Sequence, residues 1–88
     1  DVSHFHAADK YTEVVTAAGD FIIRMSIREL QAQLDPSRFW QIHRSTIVRV
    51  DAIARASRDD SGRITLTLKQ SPHRLAVSKP YAHLFRQM

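Results

Sequence analysis

The chain has 88 residues, 43% of them hydrophobic and 25% charged, with a formal net charge of +4, which describes one small globular domain rather than a disordered segment. It contains no cysteine, so disulfides and thiolate metal sites are excluded, and the composition suits a reducing, cytoplasmic setting. No apolar run approaches the roughly 18 residues of a membrane span, and no signal-peptide pattern opens the sequence.

The first strand is expected over Val2 to His6, where apolar and polar residues alternate, followed by a connection over Ala7 to Lys10. Tyr11 to Thr16 is rich in β-branched residues and reads as the second strand. Ala18-Gly19-Asp20 is a hairpin turn, and Phe21 to Met25 is the returning strand, with Phe21, Ile23 and Met25 on one face. The period then changes. Ser26-Ile27-Arg28-Glu29 fits a capping box, and Ile27, Leu30 and Leu34 follow at helical spacing until Asp35-Pro36 ends the helix. Two turns of helix need a sheet to pack on.

Phe39 to Ile42 and Thr46 to Val50 are strand-like and flank the polar triplet His43-Arg44-Ser45. Ile53 to Ser57 is a further strand, Asp59 to Gly62 a turn, and Arg63 to Lys69 an alternating strand that buries Ile64, Leu66 and Leu68. Gln70-Ser71-Pro72 reads as a turn and Arg74 to Ser78 as the last strand. Lys79-Pro80 opens a terminal helix with Tyr81, Leu84, Phe85 and Met88 on one face. Without βαβ alternation, no parallel sheet is expected. The chain does not begin with Met and opens directly in a strand-like pattern, so we expect a piece of a longer protein.

Charge is unevenly placed. Residues 1–23 hold one base and four acids, whereas residues 24–88 hold 12 bases and 5 acids. A basic body fits a polyanionic partner such as nucleic acid or an anionic membrane surface. Enzyme chemistry is poorly supplied: Gly19 and Gly62 sit outside any phosphate-loop context, and no spacing of Ser, His and Asp marks a nucleophile. Asp59-Asp60 reads as a solvated turn. His4 and His6 share a strand face that could hold zinc, although no third ligand is evident and a surface or partly buried pair is the simpler reading.

The His43-Arg44-Ser45 triplet carries the most chemistry. Its three side chains can all donate hydrogen bonds, and the Arg44 fork can reach guanine bidentately or grip a phosphate. His43 is expected to lock the loop by bonding a backbone carbonyl, and Ser45 can meet a phosphate oxygen. Two other segments offer matching groups: Lys10, Tyr11 and Thr12 early in the chain, and Ser78 with Lys79 at a helix start.

In their order these segments resemble the LytTR family of bacterial DNA-binding domains. The resemblance rests on Lys10-Tyr11, Ser26 to Leu30 with Leu34-Asp35, Phe39 with Ile42 to Ser45 and Ile47-Val48, Ile53, Leu66 and Leu68, and Val77 to Tyr81. It implies a mainly β, elongated fold of about ten short strands in small antiparallel sheets, with one short internal and one C-terminal helix. It also implies no enzyme activity and no cofactor, but sequence-specific binding of double-stranded promoter DNA, often at paired direct repeats, by loops entering successive grooves. Such domains usually form the output end of a two-component response regulator and dimerise through upstream segments. On this chain the implied DNA-contacting residues are Lys10, Tyr11, Thr12, His43, Arg44, Ser45, Arg49, Ser78 and Lys79. Arg44 leads as base reader, with Thr12 and Lys79 next; Tyr11, Trp40, Ile42, Ile47 and Tyr81 brace the loops. Arg49 stands where the family commonly has Asn, and Lys79 where it has Arg; a lysine lacks the bidentate fork. The alternative from another class is a small protein-interaction module using a sheet edge or the face from Tyr81 to Met88.

Overall fold

The structure, a computed structural model, describes residues 2–86, so Met88 lies outside the described residues. Eight strands, β1 (Val2–Ala8), β2 (Tyr11–Thr16), β3 (Gly19–Ile23), β4 (Phe39–His43), β5 (Thr46–Arg49), β6 (Ile53–Arg58), β7 (Ile64–Leu68) and β8 (Ser71–Val77), form two antiparallel sheets. One helix, α1 (Ile27–Gln33), follows β3, and 3-10 turns span Val50–Ala52 and Lys79–Phe85. The five-stranded sheet has the order β3-β2-β1-β5-β4, and the three-stranded sheet the order β6-β7-β8. The dimensions, 37 × 25 × 24 Å, are those of a modestly elongated body.

The layering follows from β5. Its residues Thr46, Ile47 and Val48 are all buried, as a strand covered on both faces must be. Ile47 joins Phe5, Val14, Ile27 and Leu30 under α1. Val48 joins Ile42, Ile53, Ile64, Leu66, Leu68 and Phe85 on the opposite face, against the second sheet. The five-stranded sheet is therefore the middle layer.

The capping box forms as the sequence requires: Glu29 N–H donates to Ser26 Oγ at 3.0 Å, and Ser26 N–H to Glu29 Oε1 at 3.1 Å. The alternating strand β7 buries Ile64, Leu66 and Leu68. The Asp59 carboxylate closes the β6–β7 turn, accepting from Ser61 N–H, Ser61 Oγ and Arg63 N–H. Those bonds, the Ser61 hydroxyl first, hold its carboxyl below the usual carboxylate range.

Several boundaries differ from the sequence reading. Among the described residues the strands number eight, as the chain-order reading has it, against the about ten that the resemblance implied; β5 ends at Arg49, because Val50 to Ala52 tighten into a 3-10 turn. Strand β3 starts two residues early, at Gly19, whose φ of +142° suits glycine. Strand β8 starts at Ser71 and includes Pro72; as an edge strand it tolerates a residue with no N–H. The terminal helix is 3-10, and its apolar face is core. Phe85 is buried and meets Trp40 edge-on at 5.4 Å, with Ala82 and Leu84 packed beside it.

Candidate nucleic-acid interface

Two tight two-residue turns and one strand-to-helix junction meet at one end of the middle sheet. The β1–β2 turn consists of Asp9 and Lys10, between the paired residues Ala8 and Tyr11. Asp9 has φ +39°, a left-handed position that Asp tolerates better than most side chains. The β4–β5 turn consists of Arg44 and Ser45, between the paired residues His43 and Thr46. Neither has a positive φ, so this is not one of the primed turns that match strand twist; a register shift between Gln41 and His43 accompanies it.

Backbone hydrogen bonds join the three segments. Ala7 N–H donates to the Ser45 carbonyl at 2.7 Å, fastening the β1–β2 hairpin to the Arg44 turn. Ser78 N–H donates to the Ile42 carbonyl at 2.9 Å, fastening the β8 junction to the end of β4. Lys10, Arg44 and Lys79, distant in sequence, thereby share one end of the domain, and all three are exposed. Tyr11 is also exposed, at 44%, so it stands beside Lys10 and does not brace the loop from the core. Ile42 and Ile47 are fully buried beneath the turn.

The polar neighbours of these cations hold the loops. His43 Nδ1 lies 2.8 Å from Ser45 Oγ and accepts Ser45 N–H at 3.2 Å. His43 was expected to bond a carbonyl; its ring instead receives the turn's own amide. Gln41 Nε2 donates to the His43 carbonyl at 3.2 Å, a support the sequence reading passed over. The network continues from Ser45 Oγ to Thr46 Oγ1 at 3.3 Å and on to His6 Nδ1 at 3.3 Å. The Ser45 hydroxyl has one proton, and His43 Nδ1 takes it. Ser78 Oγ likewise turns toward the Ile42 carbonyl, at 3.4 Å.

Two sequence-predicted residues fall elsewhere. Thr12 is 1% exposed, and its hydroxyl donates to the Met25 carbonyl at 2.5 Å. It faces the α1 side with Val14, two positions on, which the period of the strand already implied. Arg49 sits at the far end of β5, roughly 15 Å from the Arg44 turn by strand rise, and its Nε donates to the Val2 carbonyl at 2.6 Å.

That far end holds a cleft of about 540 Å3 between the two sheets, lined by Ser3, Asp20, Arg49, Asp51, Lys69 and His73 among others. Its charges are mixed. Near it His4 is buried, with Nδ1 2.6 Å from Ser3 Oγ and its ring edge-on to His73 at 6.0 Å. Burial, reinforced by His73 and His6, pushes the His4 imidazole down to about 4. His6, expected with His4 to form a surface or partly buried pair on one strand face, is exposed and bonded to Thr46, whereas His4 is buried.

Comparison with known proteins gives the same fold and a family. The LytTr DNA-binding domain of a protein described as a methyl-accepting/DNA response regulator from Bacillus cereus superposes with a TM-score of 0.87 at 30% identity, covering 97% of this chain and 77% of that one. An uncharacterized response regulatory protein of Vibrio cholerae is 37% identical over 90 residues, and the transcriptional regulatory protein YpdB of Escherichia coli K12 is 30% identical over 88. These matches cover 98% and 100% of this chain but 34% and 36% of the relatives, so the chain spans about a third of their length. The profile of the LytTr DNA-binding domain family matches residues 1–88, and the chain belongs to that family.

Proposed function

We propose that this chain is the output domain of a bacterial transcriptional regulator of the response-regulator type, and that its loop end reads double-stranded promoter DNA. The observation that carries the reading is the pair of backbone bonds, Ala7 to Ser45 and Ser78 to Ile42, which gather Lys10, Arg44 and Lys79 at one exposed end. Two cations on short, braced turns and a third at a braced strand-to-helix junction suit phosphate and base-edge contact. Arg44, at the tip of its turn, is the base reader; Lys10 and Lys79 grip phosphates on either side; Tyr11 packs on the sugar-phosphate backbone. His43, Ser45 and Ser78 act by holding the turns. Thr12 and Arg49 act in the fold.

The names of the relatives support placing the domain in a response regulator. Paired direct repeats, dimerisation through segments preceding this domain and a cytoplasmic location complete the proposal. No helix among the described residues is long and apolar enough to cross a membrane. The work of the domain on this reading is binding and not catalysis. The rival interaction-module reading loses its main support, since Phe85 and its neighbours are packed into the core.

The test is a gel shift with fragments of the regulator's own promoter region, repeated across salt concentrations. A shift at low salt that survives competitor DNA for one fragment supports the proposal; no shift even at low salt overturns it.

A further inference from the structure

We propose that the cleft between the two sheets binds a small zwitterion of the α-amino-acid class, with Arg49 and Lys69 holding its carboxylate and Asp20 and Asp51 its ammonium. The cleft measures about 540 Å3, within the range of roughly 300–1,000 Å3 usual for small-molecule sites. Three segments build it. Asp20 comes from the β2–β3 hairpin of the middle sheet, where it pairs with Val15. Arg49 and Asp51 come from the crossing between the sheets, at the end of β5 and in the 3-10 turn after it. Lys69 comes from the β7–β8 turn, between the paired residues Leu68 and Ser71. Its N–H donates to the Ala52 carbonyl at 2.9 Å, which fastens that turn to the crossing.

The lining selects a ligand that carries both charges. A simple anion drawn to Arg49 and Lys69 meets the carboxylates of Asp20 and Asp51, and a simple cation meets the two bases. A zwitterion satisfies both sets. Among the described residues no ion pair neutralises any of the four. The half-buried Arg49 guanidinium is pinned by its Nε bond to the Val2 carbonyl, which leaves its terminal nitrogens for a bidentate carboxylate. Arg49 and Asp51 stand two positions apart, within about 7 Å along the backbone. That spacing suits a ligand whose opposite charges flank one carbon. Val15, Ala52 and Leu68, all buried, add an apolar wall that suits an aliphatic side chain.

The cleft lies at the end of β5 away from the Arg44 turn, so a molecule seated there leaves the loop end open.

The test is a titration of the 88-residue chain followed by amide NMR, with L-leucine as the probe. Two analogues each lack one charge: 4-methylpentanoate has no ammonium and isoamylamine no carboxylate. L-leucine is expected to shift the amides of Ala17, Lys69 and Ser71, which line the cleft, with a Kd of roughly 1 mM or below. Each analogue is expected to bind about tenfold more weakly or worse. Arg49→Gln should abolish binding, but it also removes the bond to Val2. Lys69→Gln, and Asp20→Asn combined with Asp51→Asn, alter only exposed side chains; each should weaken L-leucine by about tenfold while melting like the parent. No shift at saturating L-leucine, shifts confined to residues outside the cleft, an analogue that binds as tightly, or exposed-site variants that bind like the parent would each overturn the proposal.

Discussion

Ser45 turns both its amide and its hydroxyl toward one atom of His43, the ring Nδ1, at 3.2 and 2.8 Å. A backbone amide can only donate, so Nδ1 is an acceptor and the proton of the neutral ring sits on Nε2. The turn that carries Arg44 is thus closed by a side chain from its own first strand. This substitutes for the glycine or asparagine with positive φ that a two-residue hairpin turn usually employs.

The consequence is a graded one for substitutions at position 43. His43→Ala removes the acceptor and should lower stability by about 1 kcal/mol, with a larger proportional loss in DNA affinity because the Arg44 turn loosens. His43→Asn places a carbonyl oxygen where it can accept the amide two residues on, the bond of an Asx turn, and should recover most of that affinity. Thermal melts and DNA titrations on the same two variants check this. Equal affinity losses for Ala and Asn would show that the ring itself, not the turn bond, is what the DNA requires.

Arg44 and Lys10 should fail in different ways. Arg44→Ala is expected to cost about 1–3 kcal/mol on the specific site and to relax discrimination at one base pair. Lys10→Ala should weaken specific and nonspecific DNA alike and reduce the salt slope by about 1. Binding measured on both DNAs at several salt concentrations separates the two. An Arg44 variant that loses equally on both DNAs is gripping phosphate.

Thr12 makes the opposite kind of prediction. Its hydroxyl is buried against the Met25 carbonyl, so Thr12→Val keeps the shape and removes the donor. The expected result is a stability loss of about 1–2 kcal/mol with little change in DNA affinity once both proteins are folded. Unchanged melting together with weakened DNA binding would return Thr12 to the interface.

The contrast between Thr12 and Arg44 shows what was legible in the residues. Features fixed by neighbours in sequence could be read: the Ser26–Glu29 capping box, the alternation that buries Ile64, Leu66 and Leu68, and the short polar turn carrying Arg44. Features fixed by distant partners could not. Arg49 is an exposed-type residue whose guanidinium is directed to Val2, 47 positions away, and no local pattern announces that. The early start of β8 needs a pairing of Ser71 with Leu68, and the 3-10 form of the last helix accompanies the packing of Phe85 against Trp40. The grouping of Lys10, Arg44 and Lys79 was expected from their chemistry, but the two backbone bonds that produce it lie between segments far apart in the chain.

Acid should destabilise the domain through His4. In the folded chain burial, then the neighbouring His73 and His6, lower this imidazole from 6.5 to about 4. The unfolded chain therefore takes up the proton more readily than the folded one between those values. Stability is full above pH 6.5 and is lost progressively as pH falls toward 4, by at most about 3 kcal/mol from this group. Below about 4 both states carry the proton, and His4 adds no further slope. Denaturant unfolding at a series of pH values measures the effect, and His4→Gln, which cannot titrate, should flatten the curve in that window even if it is less stable overall. A parent and a His4→Gln variant with parallel pH profiles would assign the acid sensitivity to other groups.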